Sequence, residues 1–208
     1  MFVVRQFLVS PAFARLIGRE RTGSTRIVEG YFTPHSNRTH LVRVAEGRAT
    51  LVLASRVGEV ADEVEVPLAH AEALMEVAAG RVAFDRFTLP LGATHPAMLD
   101  RFLLPTGVSI VTLLTESEAE AELAWLGPEV TGEHEFTPEA LALSGPPSME
   151  EVVATNAGLE ALIDVLDGRL PFGRIAPPDP ENSADAVAVE QHAEPATATP
   201  KFGLRRVS

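Results

Sequence analysis

Cysteine is absent from the 208 residues of the chain. A disulfide framework, a thiolate metal site and a thiol nucleophile are therefore excluded. Long hydrophobic runs are also missing, because no stretch reaches the roughly 18 apolar residues that a membrane span requires. The apolar residues 1–10 are interrupted by Arg5 and are followed by no small-residue cleavage site, which favours a first β-strand over a signal peptide. We predict a soluble cytoplasmic protein.

Lysine is nearly absent, since Lys201 is the only lysine among 17 basic residues. The charges are also segregated along the chain. Residues 1–101 carry 12 arginines and 11 acidic residues, whereas residues 102–168 carry 13 acidic residues and no lysine or arginine; the whole chain has a net charge of −12. Duplex DNA and anionic lipid both need positive charge to displace their counterions. The sequence therefore predicts neither nucleic acid nor a membrane as a partner.

Apolar residues make up 46% of the chain and charged residues 22%, which is typical of a packed core. Short β-branched and aromatic stretches, separated by turn residues, predict strands. Helices are predicted over 11–17 and 68–79, and Gly47 predicts a tight hairpin. This order indicates an α+β fold, an eight-stranded antiparallel β-barrel or tunnel with flanking helices, because closure removes exposed edges. The predicted strands are 2–9, 25–32, 40–46, 48–55, 62–66, 81–89, 97–104 and 108–115.

The pattern becomes helical after Thr115, beginning with residues 116–127. Thr137 precedes a proline and predicts a second helix start. Ser148 with Glu151 three residues later is a capping box, which predicts a long helix through about 166. We therefore divide the chain into a tunnel barrel over 1–145, a C-terminal helix packed on it over 146–170, and a disordered tail over 171–208.

Short motifs along residues 2–145 follow one another in an order that is typical of one protein family. They are RQFLV (5–9), IVEGYF (27–32), LVRV (41–44), TLVLAS (50–55), EVEVP (63–67), VAFDRF (82–87), LDRF (99–102) and WLGPEVTGEHEF (125–136). Together these motifs resemble the CYTH family, also called triphosphate tunnel metalloenzymes, and the last motif is the most specific. The resemblance implies an eight-stranded antiparallel tunnel that binds triphosphate-containing substrates with a divalent metal.

Several residues that the family uses to hold metal and phosphate are replaced in this chain, whereas Arg43 and Arg86 stand at positions where the family has arginines. Alternate residues of a strand face one side, and the family's opening strand points two carboxylates and a lysine into the tunnel. Phe2, Val4 and Gln6 stand at those three positions. In later strands, Leu41 stands where the family has an arginine, Ala54 and Phe84 stand for lysines, and Thr112 and Leu114 stand for paired glutamates.

The replacements bear directly on catalysis. Mg²⁺ and Mn²⁺ need hard oxygen ligands, mostly carboxylates, and phosphoryl transfer depends on metal and fixed cations to neutralise phosphate oxygens. We therefore predict no catalytic residue, no metal site and no cofactor. The polar side chains expected to face the tunnel are Gln6, Arg43, Glu63, Glu65, Arg86, Asp100 and Thr112.

Arg43 and Arg86 have two interpretations. They are an anion site, each bidentate on a phosphate or carboxylate, or they form internal salt bridges with Glu63, Glu65 or Asp100, because buried charges are tolerated only when paired. The sequence leaves both open.

Three functional hypotheses follow from these observations. The first is a catalytically degenerate CYTH-like protein that acts as a binding or interaction module, with a small anionic ligand in the tunnel. The alternative is a metal-dependent triphosphatase, acting on inorganic or organic triphosphate with Mg²⁺ or Mn²⁺ at a relocated site. The third is a structural partner protein whose acidic residues 116–168, or whose tail, meet a basic protein partner.

Overall fold

Eight strands form a single antiparallel sheet. The structure is a computed structural model and describes residues 3–21, 23–33, 38–55, 62–91, 96–115 and 125–168. The predicted strands are confirmed, three of them with unchanged ends and the other five with ends shifted by at most two residues. They are β1 (Val3–Leu8), β2 (Thr25–Tyr31), β3 (Arg38–Ala45), β4 (Arg48–Ser55), β5 (Asp62–Val66), β6 (Gly80–Leu89), β7 (Ala97–Leu104) and β8 (Thr106–Thr115).

The sheet is open, which corrects the prediction of a closed barrel. Its strand order is β1-β8-β7-β6-β2-β3-β4-β5, so β1 and β5 are the edges. A segment that is not a strand covers the free edge of β1. The Val130 N–H donates to the Gln6 carbonyl over 2.8 Å, and the Leu8 N–H donates to the Pro128 carbonyl over 2.9 Å. Because this segment satisfies the backbone groups of β1, that edge does not need β5 as a partner.

The hairpin between β3 and β4 is the predicted tight turn. Glu46 and Gly47 both have positive φ angles, 52° and 76°. Two such residues in succession match the twist of the flanking strands, and glycine adopts this conformation without a steric cost.

Three helices pack on one face of the sheet, which we call the outer face. Helix α1 (Pro11–Glu20) begins at the predicted residue, where the Ser10 hydroxyl accepts a hydrogen bond from the Phe13 N–H. Helix α4 (Asn156–Leu166) lies against α1, and its Leu162 joins Phe13 in a buried cluster with residues of β1, β7 and β8. Helix α2 (Leu68–Glu76) covers β3 and β4 through Met75.

The opposite face, which we call the inner face, is covered at one end by helix α3 (Pro138–Ser144) and the preceding 3₁₀ turn (His134–Phe136). Phe136 and Leu141 pack there against Tyr31 and other buried inner-face residues. Gly80 permits this close approach, because a side chain at this position would run into the backbone of Ala142. The predicted start of α3 is confirmed, since the Thr137 hydroxyl accepts from the Ala140 N–H.

The long C-terminal helix predicted from Ser148 is wrong in its first half. Residues 146–155 are not helical, and α4 begins at Asn156 after Thr155, whose hydroxyl accepts from the Gly158 N–H over 3.0 Å. Val152 packs against the buried cluster of the inner face, which outweighs the local capping signal. The helix ends at Leu166, as predicted.

Two further predictions fall wholly or partly outside the described residues. Of the helix predicted over 116–127, residues 116–124 lie outside, while Trp125 and Leu126 form a turn. The predicted tail over 171–208 also lies outside.

Candidate functional site on the inner face

The seven polar residues predicted to face the tunnel lie on the same face of the sheet. Strand pairing places Gln6 opposite Thr112 and Arg86 opposite Asp100. Residues paired across neighbouring strands share a face of the sheet, and side chains alternate between the two faces along each strand. The pairing register therefore shows which residues of different strands lie on the same face. The remaining three members of this set are Arg43 on β3 and Glu63 and Glu65 on β5.

Arg86 and Asp100 form a bidentate ion pair. Nε and Nη2 of Arg86 donate to the two carboxylate oxygens of Asp100 over 2.7 and 2.8 Å. The hydrogen bond to buried Asp100 raises the pKa of Arg86, although burial opposes this shift. The Arg86 guanidinium also lies 5.4 Å from the centre of the Phe84 ring. The pair is therefore fixed, with 42% of the Arg86 side chain still exposed.

Arg43 pairs with a carboxylate that the sequence analysis missed. Its Nε donates to Glu29 Oε1 over 2.8 Å, and the Tyr31 hydroxyl donates to Glu29 Oε2 over 2.7 Å. Glu29 is only 3% exposed. Its place between Ile27 and Tyr31 at alternating positions of β2 was the available signal, because residues two apart share one face and both neighbours are apolar.

The hydroxyl of Tyr31 is held neutral by its surroundings. Burial raises the pKa of Tyr31 strongly, and the charge and hydrogen bond of Glu29 raise it further. Tyr31 therefore acts as a fixed donor to Glu29.

The two carboxylates of β5 are far more exposed than Glu29. Glu63 lies 3.6 Å from Arg43 Nη1, and Glu65 pairs with Arg48 over 2.9 Å. The hydrogen bond from Arg48 lowers the pKa of Glu65. Within the described residues, no group of three histidine or acidic side chains is arranged to hold a metal ion.

Val4, Thr112 and Leu114, which the resemblance aligns with carboxylates of the family, lie at the end of the inner face away from α3. Val4 lies opposite Leu114, and Gln6 lies opposite Thr112 one step further in. Val4 is 49% exposed and Leu114 is 40% exposed. Phe84 and Leu41, which replace cations, are instead buried in the inner cluster, where Phe84 packs on Phe102 with ring centres 5.1 Å apart. Phe2 and the side chain of Ala54 lie outside the described residues.

A second cluster of charges lies on the other side of β6. Asp85 is buried and accepts from Arg26 over 2.5 Å and from Arg101 over 2.9 Å. Burial opposes ionisation of Asp85, but the two arginine hydrogen bonds hold its pKa below its usual value. Because alternate residues of a strand face opposite sides, Asp85 and Arg86 belong to different faces, and this cluster stands apart from the inner-face site.

The open eight-stranded antiparallel sheet, with α1, α2 and α4 on its outer face and α3 at one end of its charged inner face, has the CYTH-type fold that the sequence resemblance implied. Two crystal structures of NE1496 match it, one described as a hypothetical protein and one as an inorganic triphosphatase. Both have a TM-score of 0.55 and 24% sequence identity; the match covers 70% of this chain and 100% and 99% of theirs. At this identity the likeness establishes the shared fold.

A conserved hypothetical protein from Pyrococcus furiosus also matches, with a TM-score of 0.37 and 14% sequence identity. The match covers 58% of this chain and 82% of that protein, and a TM-score this low does not establish a shared fold. No protein-family model matches the chain. None of the curated proteins matches it either. Among the described residues, the helices are too short or too polar to cross a lipid bilayer.

Proposed function

We propose that the chain is a non-catalytic binding module built on the CYTH-type fold, and that its inner face holds a small anionic ligand at Arg43 and Arg86. The supporting observation is that the carboxylate partners of Arg43 and Arg86 occupy only part of each guanidinium group. Arg86 gives Asp100 two of its three nitrogens, and within the described part of the chain its Nη1 has no hydrogen-bond partner. The side chains of Arg43 and Arg86 remain 39% and 42% exposed.

The charge balance of the inner face argues against turnover of a polyphosphate. Arg43 and Arg86 are each paired with a carboxylate, Glu29 and Asp100. A triphosphate carries several negative charges, and its transfer needs a surplus of positive charge from metal and protein. A single anionic group needs less positive charge than a triphosphate does. Two guanidinium groups that are already half neutralised are able to bind it.

Binding is tested by thermal unfolding with and without phosphate, acetate and tripolyphosphate. A ligand at 100 times its dissociation constant adds about 2.7 kcal/mol to the stability. We expect a shift in the wild type that is lost in Arg86→Gln. The matched control is Arg26→Gln, which removes an arginine paired with an aspartate on the outer face. No shift with any of the three anions at millimolar concentration contradicts the proposal.

A metal-dependent triphosphatase is the second candidate, and the fold shared with a protein described as an inorganic triphosphatase favours it. Glu63 and Glu65 are then the available inner-face carboxylates for Mg²⁺ or Mn²⁺. Phosphate release from tripolyphosphate or an organic triphosphate, at an ordinary enzyme rate, dependent on metal and lost in Arg43→Ala, establishes this candidate and overturns the first. Glu150→Gln, an exposed carboxylate beyond α3, is the control and leaves such an activity unchanged.

A further inference from the structure

We propose that the end of the inner face away from α3 binds an amphiphilic carboxylate, such as a medium-chain fatty acid. The carboxylate meets the Arg86 guanidinium, and the aliphatic chain lies over Met98, Leu114 and Val4. This inference rests on the proposed function, because it uses the same arginine, and it adds the chemical class of the ligand.

Strand register brings these groups into one continuous surface. Thr112 lies between Gln6 on β1 and Met98 on β7. Met98 lies opposite Thr88 on β6, and the Thr88 hydroxyl contacts the Met98 sulfur over 3.8 Å. Adjacent strands are about 4.8 Å apart, so this row spans about 14 Å from β6 to β1. The surface is long enough for an extended chain rather than a single small ion.

Two of the exposed apolar side chains of the sheet lie together at this end of the face. Leu8 and Ile110, one row further in, are buried at 4% exposure each. Val4 and Leu114 occupy the row beyond Gln6 and Thr112, and both stay in contact with water. Apolar side chains that lie together on a water-accessible surface beside polar groups are typical of a ligand-binding surface.

The charge of the surface selects a ligand with one negative group. On the inner-face positions of β6, β7, β8 and β1, Arg86 is the only cation among the described residues, and Asp100 already neutralises it. A polyanion therefore meets no surplus charge here. One carboxylate fits Arg86 Nη1 as a charge-assisted hydrogen bond.

Calorimetric titration of the full chain with decanoate, below its micelle concentration, and with acetate tests the proposal. We expect decanoate to bind at least about tenfold more tightly than acetate, because the chain covers the exposed part of Leu114 and its neighbours. Leu114→Gln should weaken decanoate about tenfold and leave acetate unchanged. Ile163→Gln on α4 is the matched control, since Ile163 is 41% exposed and lies on a different element.

Each outcome decides the question. Equal affinities for decanoate and acetate, equal effects of Leu114→Gln and Ile163→Gln, or decanoate binding that is unchanged in Arg86→Gln overturn the proposal. Anion binding that depends on Arg86 without any gain from the chain overturns the ligand class alone and leaves the proposed function intact. Absence of binding by every anion overturns both. Val4→Gln replaces Leu114→Gln if that variant does not fold by circular dichroism.

Discussion

Glu29 shows at the residue scale how this fold tolerates a buried charge. Its two oxygens are divided between a neutral donor, Tyr31, and a cationic donor, Arg43. A buried carboxylate that loses one of its donors retains the desolvation cost without the compensating bond. The pair of donors therefore fixes the positions of β2 and β3 on the inner face.

Tyr31→Phe removes one of these donors while keeping the ring. We expect the free energy of unfolding to fall by about 1–3 kcal/mol, because Glu29 is left partly unsatisfied. Urea unfolding followed by circular dichroism measures the change. Thr39→Val is the comparison, since it removes a hydroxyl bonded to Glu139, which is less buried than Glu29, and we expect it to cost less. Equal losses in the two variants contradict the role of Glu29 burial.

Tyr31 is the single tyrosine of the chain, so its ionisation can be read directly. Burial and the charge of Glu29 raise its pKa above the ordinary value of about 10. Stability from this group is therefore full below about pH 10 and is lost as the pH rises further, because the unfolded chain ionises first. We expect the phenolate absorbance to appear only together with the loss of the folded circular dichroism signal. A phenolate that forms in the folded protein near pH 10 disproves this.

At the scale of elements, the edge of β1 is held by the segment 125–131. Arg5 donates two hydrogen bonds to Glu129, over 3.0 and 2.7 Å, and the Thr131 hydroxyl donates a third over 2.6 Å. The hydrogen bonds from Arg5 and Thr131 lower the pKa of Glu129 to about 2. The side-chain bonds thus reinforce the backbone bonds that cover this edge.

The lowered pKa of Glu129 gives this contact a defined pH dependence. Its stabilising effect is present above the unfolded pKa, about 4.3, and is lost as the pH falls towards 2. Glu129→Gln should cost less than about 1 kcal/mol at pH 7, because the pair is partly exposed. Urea midpoints should show the gap between wild type and variant closing between pH 5 and pH 2. A gap that stays constant over this range contradicts the assignment.

Helix α4 offers a direct comparison between two cap residues. The Thr155 hydroxyl accepts from the Gly158 N–H, whereas Ser148 lies in a segment that is not helical. We expect Thr155→Ala to lower the free energy of unfolding by about 1 kcal/mol and Ser148→Ala to leave it unchanged within error. Chemical denaturation of both variants measures this. A larger loss in Ser148→Ala would place the helix start where the sequence pattern put it.

At the scale of the whole molecule, sequence and structure agree where the signal is local. Short β-branched and aromatic stretches between turn residues predicted all eight strands, and the family resemblance, with the alternation of side chains along a strand, placed Arg86 and Asp100 on one face. The bonds from 125–131 to β1 could not be predicted, because Arg5 and Glu129 are 124 residues apart in sequence. The start of α4 was missed because packing of Val152 is a tertiary effect.

The open sheet leaves an edge strand, β5, at which two copies of the molecule could pair. Strand β5 is an edge, and four of its five residues are exposed. Asp62, Glu63 and Glu65 place three carboxylates along this short strand. A β5 strand from another copy that approached this edge would bring like charges opposite one another, which destabilises cross-strand pairs. The acidity of β5 thus disfavours edge-to-edge assembly, the main aggregation hazard of a sheet that does not close.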